Sequence, residues 1–351
     1  MKLSRIAVAA SYFPLPLPLP AFALVFLLAL LSGPTLAWGP QGHQTVGGIA
    51  DQLLAGSNTA KKVRSVLGSN LQTAAVWADC AKGVGQVKVG APFTYGGSGT
   101  YPECKYYENP ASQAAMEAFV KRNATHCYSN SSDEVCRHKS FHYTDVSTLQ
   151  PRYNAALVGA GPHDIVAAIQ ACIAVLQGRP SPAPFDIRGQ TEALRLLAHY
   201  LGDVHQPLHV VSVYLDKSGH VVDPDVGTFD PKTDTKGGNM IDDGGSRLHR
   251  VWDGIPGRLA TKLLAGEGVA AAKQLPVTTG PVAGWAVVWA SDTVVSAQPA
   301  YSALTFGPQA SNGHWPATHG RDYSQNREAL QRQQLIKGGA RLAELLRAIW
   351  P

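Results

Sequence analysis

The sequence predicts a mainly α-helical protein built as one domain from Trp38 to Pro351. Three observations carry that expectation. Apolar residues recur at helical spacing, among good helix formers, in windows along the whole chain. The 351 residues are 45% hydrophobic and 16% charged, which suits a sizeable buried core and excludes a mostly disordered chain. No charge run, internal repeat or shift of composition marks a boundary between domains. The 35 Gly and 24 Pro follow no period, so a collagen-like chain is excluded too. A net charge of +5 permits a polyanionic substrate without demanding one.

Residues 1–37 read as a secretory leader. Lys2 and Arg5 precede the apolar stretch Ala21 to Leu31, and Thr35 and Ala37 are the small residues expected before a cleavage site. Proline alternates with leucine between Phe13 and Pro20, so the helical part of the leader begins after Pro20. The apolar run is shorter than the ~20 residues a membrane span needs. Cleavage after Ala37 is expected, leaving Trp38 as the N-terminus of a secreted or periplasmic protein with no membrane anchor.

Helices follow at Gln41–Leu54, Thr59–Leu67, Ala111–Arg122, Asp164–Leu176, Thr191–Val204, Pro256–Leu264, Trp285–Gln298 and Asn326–Ile349. Lys82–Tyr101 is a Gly-rich loop. Tyr214–Gly245 carries Gly, Pro and Asp after a strand-like start at Val210–Leu215, which predicts a short β-hairpin or loop excursion near 210–245. The run Pro180–Pro184 joins two helices within the domain.

Export would place the five cysteines in an oxidising compartment. The odd number leaves at least one unpaired within the chain. Cys172 lies in an apolar helical run and is expected as a buried thiol. Cys127 and Cys136 flank a short polar loop that a disulfide could close, and Cys80 with Cys104 is the remaining pairing. Asn123-Ala-Thr and Asn130-Ser-Ser are glycosylation sequons. There is no Cys-x-x-Cys, which argues against thiolate zinc.

The chemistry lies in the 12 histidines and their spacing to aspartates. His199 and Asp203 stand at i, i+4 on one helix face, and Pro207 then breaks the helix and brings His209 round. His249 and Asp253 repeat the i, i+4 pair. Phe141-His142-Tyr143-Thr-Asp145 and Trp77-Ala-Asp79 are shorter clusters. Imidazole and carboxylate on one face suit zinc among other divalent ions. His205, between Asp203 and His209, reads as a residue that supports the ligands from behind or packs the helix. His126, His138, His163, His220, His314 and His319 have no spacing partner and read as surface or capping residues. Asp242-Asp-Gly-Gly matches a calcium loop only loosely.

These motifs together resemble the secreted zinc-dependent single-strand nucleases, also called 3′-nucleotidases, whose helical fold is shared with bacterial zinc phospholipase C. The ordered set is Trp38-Gly-Pro-Gln-Gly-His43, Trp77-Ala-Asp79, Phe141-His142-Tyr-Thr-Asp145, His199 to Asp203 to His209, Gly237-Gly-Asn239 and His249 to Asp253, so the resemblance spans essentially the whole mature chain. It implies three zinc ions: one on Asp79, His142 and His199; a second that shares Asp203 and is completed by His43 and the Trp38 α-amine and carbonyl; a third on His209, His249 and Asp253. A free α-amine at Trp38 exists only after leader removal. The implied reaction is endonucleolytic hydrolysis of single-stranded RNA and DNA by a metal-activated hydroxide, leaving 5′-phosphates, with 3′-nucleotidase activity as well. Lys82 would stabilise charge in the transition state alongside the catalytic Asp79 and Asp203. Tyr143 and Asp145 would stack on and hydrogen-bond a base, and Asn239 would add a polar contact to substrate. The resemblance implies a monomer whose partners are single-stranded nucleic acid and nucleotides. The alternative is a zinc phospholipase C; His43 lies only five residues after Trp38 and the last ligand is an Asp rather than a Glu, which favours the nuclease.

Overall fold

The computed structural model describes residues 38–97, 102–128 and 131–351, so the leader and its cleavage site lie outside the described residues. Helices start where side chains can satisfy their free N–H groups. Helix α1 spans Pro40–Leu54, with its proline in the first turn. Helix α2, Asn58–Leu67, starts on Ser57, whose Oγ accepts from Ala60 N–H, and stops at left-handed Gly68. Asn70 caps the single turn α3, Leu71–Ala74, and Trp77–Ala81 forms the short α4. Asn109 caps α5, Pro110–Arg122, and Asp164 caps α6, Ile165–Leu176. Helix α7, Gly189–Asp203, is buried from Ala193 to Asp203 at every position but Arg195 and forms the centre of the fold. Beyond it come α8, Leu248–Asp253; α9, Gly257–Lys262; α10, Gly268–Ala272; α11, Trp285–Ser296; α12, Gln298–Ser302; and the long α13, Tyr323–Ile349.

The fold is mainly helical, as the sequence predicts. Helix α1 packs on α13, α3 and α7, and α6 packs on α7 and α11. Truncating one of the fully buried leucines of α7, such as Leu201, would cost ~2–5 kcal/mol. Helix α13 begins three residues before the predicted Asn326. The window Pro256–Leu264 breaks at a π turn, Leu263–Glu267, where Gly266 takes φ 120°.

The β excursion is larger than local sequence reveals. In the strand-like Val210–Leu215 run, Val211–Ser212 lies parallel to Val146–Ser147, and Tyr214 and Leu215 make single antiparallel bridges to Asp234 and Val221. Ile241–Asp243 turns back on Ser246–Arg247 through Gly244 and Gly245, both at positive φ, so Asp242-Asp-Gly-Gly is a hairpin turn. Trp315–His319 then pairs parallel to Ile241–Asp243 and antiparallel to Leu304–Phe306, completing a four-stranded mixed sheet. That pairing joins residues some 70 positions apart (on the order of the chain spans over which local periodicity is blind). The Gly-rich Lys82–Tyr101 loop holds one short antiparallel pair, Val84–Gly85 with Thr94–Tyr95.

Both expected disulfides form, Cys80 with Cys104 and Cys127 with Cys136, and Cys172 is a free buried cysteine. Asn123 is only 1% exposed and exchanges hydrogen bonds with the Asp186 backbone, so this sequon is closed to glycosylation in the folded chain. Among the described residues no helix is long and apolar enough to cross a membrane.

Candidate metal centre

Six chain segments converge on one buried site, and each presents its side chain for a local reason. His43 lies in the first turn of α1. Asp79 sits in α4, tethered by the disulfide of its neighbour Cys80. His142 ends a 3-10 turn, Arg137–His142. The backbone beyond it is pinned to the segment after α7, because Thr144 N–H donates to His209 C=O (2.9 Å) just before the parallel strand pair. His199 and Asp203 share the inner face of α7. Pro207 starts a 3-10 turn that ends on His209, and His249 and Asp253 both lie on α8.

The structure brings eight of the sequence-predicted metal ligands together. His43, Asp79 and His199 place ligand atoms within 4.8 Å of one another; so do His142, His199 and Asp203; so do His209, His249 and Asp253. His199 belongs to two groups, so the first two merge. Asp203 stands between them, 3.3 Å from His43 Nε2 through Oδ1 and 3.0 Å from His142 Nδ1 through Oδ2. Trp38 is fully buried beside this cluster, its indole N–H donating to Gly202 C=O (2.9 Å). The His43 ring stacks on His199 at 3.7 Å. Only glycine at 202 permits that stack, since a Cβ there would lie 2.6 Å from His43 Nδ1.

The donor set fits a cation. Carbonyl oxygens only accept, so the short contacts of His199 Nδ1 to Ala75 O (2.6 Å), His209 Nδ1 to His142 O (2.7 Å) and His249 Nδ1 to Gly237 O (2.7 Å) place a proton on each Nδ1. Burial, with His209 beside it, pushes His249 down to about 3, and burial also lowers His209. In their neutral forms both rings turn an Nε2 lone pair toward the other, 3.0 Å away. His43 Nδ1, Asp79 Oδ2 and Asp253 Oδ2 are buried with neither a hydrogen-bond nor an ion-pair partner. Burying unpaired acceptors costs several kcal/mol unless a cation offsets it. Such anchored imidazoles are the arrangement that orients metal ligands.

Charge inside the site is shared unevenly. Burial would raise Asp203, but His199, His209 and His43 hold it well below the usual carboxylate range. Burial likewise opposes ionisation of Asp79, and Lys82 and His199 overcome it. Lys82 Nζ lies 2.8 Å from Asp79 Oδ1. Burial acts to lower Lys82, yet Asp79 and Asp203 raise it, so it stays an ammonium at the site. Asp253 is pushed well up by burial.

A rim adjoins the centre. Tyr143 is half-buried and donates its hydroxyl to Asp133 Oδ2 (3.0 Å). Asp145 is 8% exposed, and burial, then Asp234, raise it well above its ordinary value. Asn239 Nδ2 donates to Lys236 C=O (2.9 Å). The Gly237-Gly238 pair before it takes positive φ at both positions, and a Cβ at 237 would meet Leu208 O at 2.3 Å. Sequence reasoning misses two residues here. Asp133 carries no motif. Gln206, whose Nε2 donates to Asp253 Oδ1 at 2.7 Å, was signalled only by its place between His205 and Pro207.

The bland histidines divide. His205 packs as expected, its Nδ1 2.7 Å from Leu201 O and its Nε2 2.8 Å from Arg341. His220 and His319 are exposed and face Asp216 and Asp243. His138 corrects the surface assignment: it is 1% exposed, and burial first, then Lys139, lowers it to about 3. Its ring sits beside the Cys127–Cys136 disulfide, a placement that its sequence spacing does not encode.

A helical scaffold holding a buried, cation-seeking His/Asp centre with a lysine at its edge defines a metal-dependent hydrolase. The family model for S1/P1 nuclease matches residues 124–351, and the chain belongs to that family. The family is one of nucleases, which supports nuclease activity. No curated protein matches the chain. His43, Asp79 and Lys82 lie before the matched region, and the structure joins them to the ligands within it.

Proposed function

We propose that the chain is a secreted, three-zinc endonuclease that cleaves single-stranded RNA and DNA to 5′-phosphate products and also removes phosphate from 3′-nucleotides. The observation that carries this reading is the convergence of buried His and Asp ligand atoms, above all the His209 and His249 Nε2 atoms 3.0 Å apart with both Nδ1 atoms anchored to carbonyls. Asp79, His142 and His199 would hold one ion; His43, Trp38 and the shared Asp203 a second; His209, His249 and Asp253 the third. Three imidazole-carboxylate sites in this proximity suit zinc. Bound there, the metals would supply Lewis-acid polarisation and a water acidic enough to ionise near neutral pH.

The chain's own residues do the rest. The Lys82 ammonium, fixed by Asp79, lies where negative charge grows on a phosphoryl group, and a fixed donor of this kind contributes about 10²–10³-fold. The Tyr143 ring offers a face to a base, and Asp145 offers it a carboxyl oxygen. A duplex hides base faces within its stack, so a stacking platform selects single strands. Asn239, held by Lys236, lines the same rim.

The test incubates purified mature protein with single-stranded DNA, RNA, a 3′-nucleotide and phosphatidylcholine, each with and without a zinc chelator. Chelator-sensitive cleavage of the first three, with 5′-phosphate ends on the polymers and silent lipid, is the expected outcome. Equal rates on duplex and single strand would contradict the base-stacking part.

A further inference from the structure

We propose that Gln206 is a positioning residue for the third metal site, joining both chain segments that supply its ligands. The inference rests on the three-metal reading above. Gln206 is fully buried, and each side of its hydrogen-bonding capacity is committed to a ligand segment. Its backbone N–H donates to Asp203 C=O (2.9 Å), and its C=O accepts from His209 N–H (3.0 Å). Its side-chain Oε1 accepts from Leu208 N–H, which closes the turn that presents His209. Its side-chain Nε2 donates to Asp253 Oδ1 at 2.7 Å, across 47 residues of sequence.

That last bond has a chemical consequence. Asp253 Oδ1 is occupied, whereas Oδ2 is buried with no partner. The amide therefore fixes the rotation of the carboxylate, whose Oδ1 it holds 3.7 Å from His249 Nε2. Only an amide at 206 does both jobs, accepting from Leu208 and donating to Asp253. A carboxylate there keeps the acceptor and loses the donor. Second partners that orient ligands in this way typically set 10–100-fold in metal affinity.

Gln206→Glu separates the two roles, because it preserves the turn contact and sets a carboxylate against Asp253. Mature wild-type enzyme and variant are equilibrated in zinc buffered by a competing chelator, and bound zinc per chain is counted, with far-ultraviolet circular dichroism to follow the fold. The expected result is a wild-type-like spectrum, two zinc ions held as in wild type, and a third weakened 10–100-fold. Three ions held with wild-type affinity in the variant, against three in wild type, would overturn the role of Gln206 alone. Fewer than three in wild type would overturn the reading beneath it as well. If Gln206→Glu does not fold, the double variant Gln206→Glu/Asp253→Asn re-forms the bond with donor and acceptor exchanged. Recovery of the fold supports the 206–253 link, and no recovery contradicts it.

Discussion

The metal centre and the rim beside it satisfy their polar groups in opposite ways. In the centre, buried His43 Nδ1, Asp79 Oδ2 and Asp253 Oδ2 have no partner, and the His209 and His249 Nε2 atoms face each other at 3.0 Å. At the rim, the Tyr143 hydroxyl and the Asn239 amide have already found Asp133 and Lys236. The centre is thus incomplete without cations, whereas the rim has fixed its hydroxyl and amide donors and leaves one buried acceptor, Asn239 Oδ1, open. Loss of a group from the first should abolish function, and loss of a group from the second should only change preference.

The largest effect is expected at Asp203, which stands between two of the ligand groups. Asp203→Asn should lower turnover on the order of 10³-fold or more and release zinc, as should chelation of the wild type. Full zinc content with near-normal turnover would break the comparison at its base. Next comes Lys82→Ala, expected to lower turnover about 10²-fold with zinc content unchanged. Unchanged turnover would make Lys82 only a neutralising partner of Asp79. Smaller again is Tyr143→Ala, which removes a stacking face worth roughly 1–3 kcal/mol per base. It should raise KM for single strands and erode their preference over duplex, with zinc retained. Tyr143→Phe, which loses only the bond to Asp133, sharpens the comparison by separating the ring from its anchor.

The last prediction concerns His138, outside both regions, and bears on stability with no effect expected on turnover at neutral pH. Its folded pKa is depressed to about 3 from an ordinary 6.5. The unfolded chain therefore binds a proton there that the folded chain refuses. The contribution of neutral His138 is fully present above about 6.5 and is lost as pH falls toward 3, at up to ~1.4 kcal/mol per pH unit. His138→Gln should flatten the acid side of the stability profile in this window, read as the difference in unfolding midpoint between variant and wild type at each pH. Parallel profiles would refute the assignment.

Much of the helical frame was legible, because caps such as Ser57, Asn109 and Asp164 and the apolar period are local properties of the chain. The ligands on α7 and α8 were legible for the same reason: i, i+4 spacing puts His199 with Asp203 and His249 with Asp253 on one face. What sequence could not supply is pairing at a distance. The Trp315–His319 strand looks like loop until Ile241–Asp243 is beside it, and His138 looks exposed until the Cys127–Cys136 loop encloses it. The Gln206 bond to Asp253 is of the same kind. The convergence of His43 and Asp79 with the later ligands was implied only by a family resemblance, and the fold brings them together physically.

The most direct measurement of the central claim is the zinc content of the mature enzyme after purification without added metal. The account predicts three zinc ions per chain, with Trp38 as the N-terminal residue and cleavage of single-stranded nucleic acid that falls as the ions are withdrawn. One ion or none per chain, with cleavage undiminished by chelation, would contradict it.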